Sequence, residues 1–105
     1  PAFAMPVASL ARTDRAPSGE SLARTYLRFI VADRPGVLAE ITAAMRDADV
    51  SIESLSQRGV TAEGAAVVAI VTHECREANV MKALGLLEGS SSLQAAPMVM
   101  PILEV

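Results

Sequence analysis

The sequence predicts an α+β fold: β-α-β-β-α-β, one four-stranded antiparallel sheet with both helices on one face. Three observations carry this. A strand-like stretch, Thr25 to Val31, runs into Asp33-Arg34-Pro35-Gly36, and a helical apolar pattern runs out of that turn. Ala65 to Thr72 is a continuous apolar run, the mark of a central strand covered on at least part of both faces. Pro101 lies inside the last apolar stretch and has no N–H to give a ladder, which confines that stretch to a sheet edge.

Taken in order, residues 1–24 read as a linker. Pro1, Pro6, Pro17 and Gly19 punctuate it, and Phe3, Met5, Val7 and Leu10 are apolar enough to dock on a neighbouring domain. The chain opens on Pro1 and not on Met, which suits a processed chain or a fragment of a longer one. In the first strand Leu27, Phe29 and Val31 alternate with Tyr26, Arg28 and Ile30. Pro35 presets φ for a turn, Gly36 lets the backbone turn without a Cβ, and Asp33 can accept hydrogen bonds from the backbone that follows. A helix from Gly36 to Ala48 follows, with Val37, Leu38, Ile41, Met45 and Ala48 inward and Glu40, Arg46 and Asp47 outward.

The second strand is read over Val50 to Gln57, with Leu55 breaking the alternation, which predicts a bulge or a twisted edge there. Gly59 to Gly64 is a hairpin loop leading into the Ala65–Thr72 strand. The second helix is expected from Glu74 to Glu88, with Val80, Ala83, Leu84 and Leu87 as its stripe and Gly89 as its stop. Gly85 inside it costs roughly 1 kcal/mol relative to Ala, which suggests close packing there. Met45, Met81, Met98 and Met100 read as core fillers. Ser90 to Ala96 is a loop, and Met98 to Val105 the last strand. Right-handed crossovers and hairpin adjacency favour the ferredoxin-like βαββαβ arrangement with spatial strand order 4-1-3-2.

Composition narrows the function. The 105 residues suit one small domain, 51% hydrophobic but only 3% aromatic. A domain this small buries a modest share of its surface and tends to lean on a partner. The net charge of -3 and the lack of a basic stripe exclude a nucleic-acid partner, and no apolar run approaches membrane-spanning length. A single cysteine builds no disulfide framework, which fits a reducing, cytoplasmic setting. His73-Glu74-Cys75 lacks a second ligand pair for a metal and an orienting third group for a nucleophile. It reads instead as a strand end, with Glu74 opening the second helix. No G-x-G-x-x-G follows a strand, so no cofactor is expected within these residues, and no catalytic residues are assigned.

The βαββαβ order with Asp33-Arg34-Pro35-Gly36-Val37-Leu38-Ala39-Glu40-Ile41 at the first strand–helix junction resembles the ACT domain, a small-molecule-binding regulatory module of amino-acid metabolism. Tyr26-Leu27-Arg28, Val50-Ser51-Ile52-Glu53-Ser54, Gln57-Arg58-Gly59 and Val71-Thr72-His73-Glu74 make the chain similar to the C-terminal ACT domain of bacterial homoserine dehydrogenases. Phe3-Ala4-Met5-Pro6-Val7 looks like the segment joining that domain to the catalytic part. The resemblance implies a parent enzyme that interconverts aspartate semialdehyde and homoserine with NAD(P). It also implies an amino-acid effector from the pathway, threonine first, with isoleucine or methionine as alternatives.

The helix N-terminus after the turn offers free N–H groups beside a carboxylate, a seat for a small zwitterion. The expected effector residues are Asp33, Arg34, Pro35, Gly36, Val37 and Leu38, with Ser51 and Ile52 reaching in across a dimer and Gln57 making polar contact to the effector or to the neighbouring subunit. A Cβ at Gly36 is expected to crowd the effector's carboxylate. The edge strand 50–57 carries no Pro, no Lys and one acid, Glu53, so a homodimer through it is expected. A structural oligomerisation module, or an ACT domain of another amino-acid enzyme, is the alternative.

Overall fold

A computed structural model describes residues 21–60 and 62–103. The linker reading and the docking expectation for Phe3, Met5, Val7 and Leu10 lie outside the described residues. The elements are β1 (Leu22–Ala32), α1 (Val37–Asp47), β2 (Ile52–Val60), β3 (Ala65–Thr72), β4 (Cys75–Arg76), α2 (Glu77–Leu87) and β5 (Met98–Ile102). All pairings are antiparallel. β1 lies between β3 and β5, and β2 flanks β3, so the four long strands take the expected order, with the last strand at an edge.

Alternation in β1 and β3 decides the layers. Leu27, Phe29 and Val31 with Ala66, Val68 and Ile70 are buried against Val37, Ile41, Ala44 and Met45 of α1 and Val80, Ala83 and Leu87 of α2. Both helices therefore cover one face, and they touch each other. Pro101 pairs with Thr25. The Thr25 N–H donates sideways to Thr72 Oγ1, toward β3, so nothing on the β5 side of Thr25 calls for the N–H that Pro101 lacks. α1 closes on Ala48 with Asp49 in the left-handed region, Asp49 N–H donating to Arg46 O and Val50 N–H to Met45 O.

The structure departs from the sequence reading at several points. β1 begins at Leu22, three residues before the expected Thr25, because Leu22 and Ala23 pair with Arg76 and Cys75. The same pairing delays α2: residues 75–76 are held extended, and the helix starts at Glu77 rather than Glu74. β2 starts at Ile52 and runs past Gln57 to Val60. Its register shifts fall between Ile52 and Ser54 and between Arg58 and Val60, not at Leu55. Gly85 is exposed, and a Cβ built there meets nothing within 4 Å, so it marks no close packing. Met45 is fully buried, but Met81, Met98 and Met100 are exposed and fill no core. On α2 Met81 lies off the Val80–Ala83–Leu87 stripe, and β5 lies at the sheet edge, where its side chains stay in solvent.

Candidate functional site

The turn after β1 is tied down by backbone. Ala32 N–H donates to Ser92 O at 2.9 Å, Asp33 N–H to Gly64 O at 3.0 Å and Arg34 N–H to Ala32 O at 3.1 Å. Gly36 then takes φ 91°, a conformation open chiefly to glycine, and serves as the N-cap of α1. No side chain caps this helix. The expected capping role of Asp33 is not seen: its carboxylate makes no hydrogen bond among the described residues, because Gly36 sets the helix entry three residues further on. The first helical N–H groups, from Val37 on, have no side-chain cap at Gly36.

A cavity of about 160 Å³ lies between this turn and the sheet. Asp33 to Leu38 line one side and Gln57 and Val68, paired across β2 and β3, the other. The structure thus brings together every expected effector residue except Ser51 and Ile52. Those two sit at the opposite end of β2, where Ile52 pairs with Thr72 and Ser51 O accepts the His73 N–H at 2.9 Å. At about 3.3 Å per strand residue, Ser51 lies roughly 20 Å from Gln57.

Arg34 lines the cavity and is held by the serine loop. Its guanidinium donates to Ser91 Oγ and Ser92 Oγ, both at 3.1 Å. The Glu40 carboxylate accepts from Ser90 Oγ at 2.6 Å and from Ser92 Oγ at 2.8 Å. These hydroxyl bonds, chiefly from Ser90 and Ser92, hold the Glu40 carboxyl below its usual range, with Arg34 helping and partial desolvation opposing. The network was missed by the sequence reading, which set Glu40 facing outward and Ser90–Ala96 as a plain loop. Three serines after the helix-ending Gly89 were the available signal.

Elsewhere, the Cys75 thiol lies 3.8 Å from the Thr72 hydroxyl, and among the described residues no three His, Cys, Asp or Glu side chains gather as a metal site. What the turn can offer chemically is a set of helix-opening donors, one free carboxylate and one carboxamide around a space the size of a small metabolite.

A βαββαβ sheet with both helices on one face and a cavity at its first strand–helix turn defines a small α+β module, and residues 25–88 match the ACT domain family, so the chain belongs to that family. Homoserine dehydrogenase of Synechocystis sp. is 34% identical over 83% of this chain and 20% of its own length. That of Neisseria gonorrhoeae is 36% identical over 69% of this chain and 17% of its own. The crystal structure of a homoserine dehydrogenase from Thiobacillus denitrificans superposes with a TM-score of 0.74 and 29% identity, over 88% of this chain and 20% of that one. The chain spans about a fifth of the length of these relatives.

Proposed function

We propose that this ACT domain senses an amino acid, threonine by preference, and controls a homoserine dehydrogenase of which it is the regulatory part. The parent would interconvert aspartate semialdehyde and homoserine with NAD(P). The observation that carries the sensing role is the cavity between Asp33–Leu38 and Gln57. The relatives support the parent's chemistry.

In this reading the effector carboxylate meets the N–H groups opening α1, a contact to which the helix dipole adds roughly 0.3–1 kcal/mol. Asp33 takes the ammonium in a charge-assisted bond worth about 1.5–3 kcal/mol. A homodimer completes the site. Among the described residues β2 pairs with β3 on one side and with no strand on the other. Two-fold pairing through that edge runs the strands antiparallel, which sets Ser51 and Ile52 of the partner beside Gln57. A hydroxyl and an apolar wall then suit a threonine side chain.

Calorimetry tests the site. Wild type should bind threonine and Asp33→Asn should bind it at least about tenfold more weakly, the loss of one charge-assisted bond. Equal binding by both would move the site elsewhere. The open β2 edge also favours a purely structural role in oligomerisation. In that case none of the twenty amino acids raises the melting temperature, whereas a sensed effector stabilises by RT ln(1 + [L]/Kd). Light scattering that finds a monomer at millimolar concentration counts against the dimer.

A further inference from the structure

We propose that Arg34 reports the occupancy of the cavity at the first turn: an effector carboxylate draws its guanidinium off Ser91 and Ser92 and so loosens the connection between α2 and β5. This rests on the sensing role argued above and names how that site is read out. Arg34 lines the cavity, yet its side chain is bonded 57 and 58 positions further along the chain, to Ser91 Oγ and Ser92 Oγ, each at 3.1 Å. Both acceptors are uncharged. Among the described residues no carboxylate lies within ion-pair distance of this guanidinium, although Glu40 attracts it from further off. A carboxylate brings a full charge and two oxygens matched to the guanidinium fork, which two hydroxyls do not. The serines therefore hold Arg34 only until a carboxylate enters beside it.

The rearrangement is confined to one side chain. The Arg34 N–H stays bonded to Ala32 O at 3.1 Å, and the residue is exposed, so its guanidinium can swing without disturbing the core. One carboxylate oxygen then faces the N–H groups that open α1 and the other takes the guanidinium. The segment that loses Arg34 keeps other ties. Ser92 O accepts the Ala32 N–H, the Gln94 N–H donates to Ile30 O at 2.8 Å, Leu93 bridges to Val31, and Glu40 still accepts from Ser90 and Ser92. The segment is therefore loosened and not unfolded. Ser90, Leu93 and Gln94 also wall an open groove of about 610 Å³ against Met81, Leu84 and Gly85 of α2, to which no residue of the effector turn contributes. Through Arg34 the state of the turn thus reaches a separate surface, by a side chain with two alternative sets of acceptors.

Amide hydrogen exchange, read residue by residue by NMR in the 105-residue chain, tests this with threonine as the probe. At saturating threonine the Ser92, Leu93 and Gln94 amides should exchange about fivefold faster, the size of a local opening. Arg34→Met, at an exposed position, keeps the length and removes every donor. It should show the fast rate without threonine and no further rise with it. Ser91→Ala removes one competing acceptor and should bind threonine about threefold more tightly by calorimetry. A bracing role alone predicts no gain in affinity. Exchange of these amides that stays level or slows when threonine binds overturns the proposal, as does unchanged or weaker binding by Ser91→Ala. Wild type that binds no threonine overturns the sensing of threonine, and the proposal falls with it. Binding with the segment unmoved overturns the proposal alone.

Discussion

Ser92 binds Glu40 and Ala32 at once: its hydroxyl donates to Glu40 Oε1 at 2.8 Å, while its backbone carbonyl accepts the Ala32 N–H at 2.9 Å. One buried serine thereby ties the α2–β5 connection to the first turns of α1 and to the end of β1. The candidate effector turn is braced from behind by this serine, since Arg34, next in the turn, also donates to it.

Ser92→Ala should destabilise the domain by about 1–2 kcal/mol, since it removes a bond to a carboxylate and leaves acceptor and donor short of a partner. Urea denaturation followed by circular dichroism measures this. No change in midpoint would show that water replaces the hydroxyl.

The same carboxylate makes stability depend on pH. The Glu40 carboxyl is held below its ordinary value near 4.5, chiefly by the Ser90 and Ser92 hydroxyls. A lowered folded-state value means the unfolded chain binds the proton first, so this contribution is fully present above the ordinary value. It fades as pH falls below about 4.5 and is gone once pH has passed through the lower folded-state value. Glu40→Gln should flatten that acid limb of the stability curve. An unchanged slope between wild type and variant would refute the assignment.

Gly85→Ala should stabilise the domain by up to about 1 kcal/mol, because the helix gains propensity and the new methyl points into open space. A rise in melting temperature of a few degrees is expected by calorimetry. A fall would mean that something unseen in the isolated domain packs there.

Gly36→Ala should cost about 1–2 kcal/mol through backbone strain alone, because φ is 91° there. The added Cβ meets no protein atom within 4 Å, so the cost to folding comes from φ and not from a clash within the domain. Asn tolerates this region better, so Gly36→Asn should lose less. Equal losses for the two variants would point to something other than φ.

Asp49→Gly should stabilise by about 0.5–1 kcal/mol. Asp49 holds φ 63° at the end of α1, the position where glycine is the common choice. Chemical denaturation decides the sign.

The order of elements, the central place of Ala65–Thr72, the edge placement of Pro101 and the turn at Gly36 were legible in the sequence. Each rests on local chemistry: hydrophobic period, a missing N–H, a missing Cβ. That residues 33–38 gather around one cavity was legible for the same reason, because those residues are contiguous. The tertiary structure decided what depends on residues far apart in the chain. Glu40 and Ser90 are 50 positions apart, and no periodicity announces that a carboxylate on an outward-looking helix position finds a serine loop. Cys75 and Arg76 are extended rather than helical because Leu22 and Ala23 offer them a strand to pair with. Met81, Met98 and Met100 are as apolar as Met45, yet only Met45 is enclosed. Hydrophobicity states what a side chain gains by burial, and the packing of α1 and α2 on one face of the sheet determines which side chains obtain it.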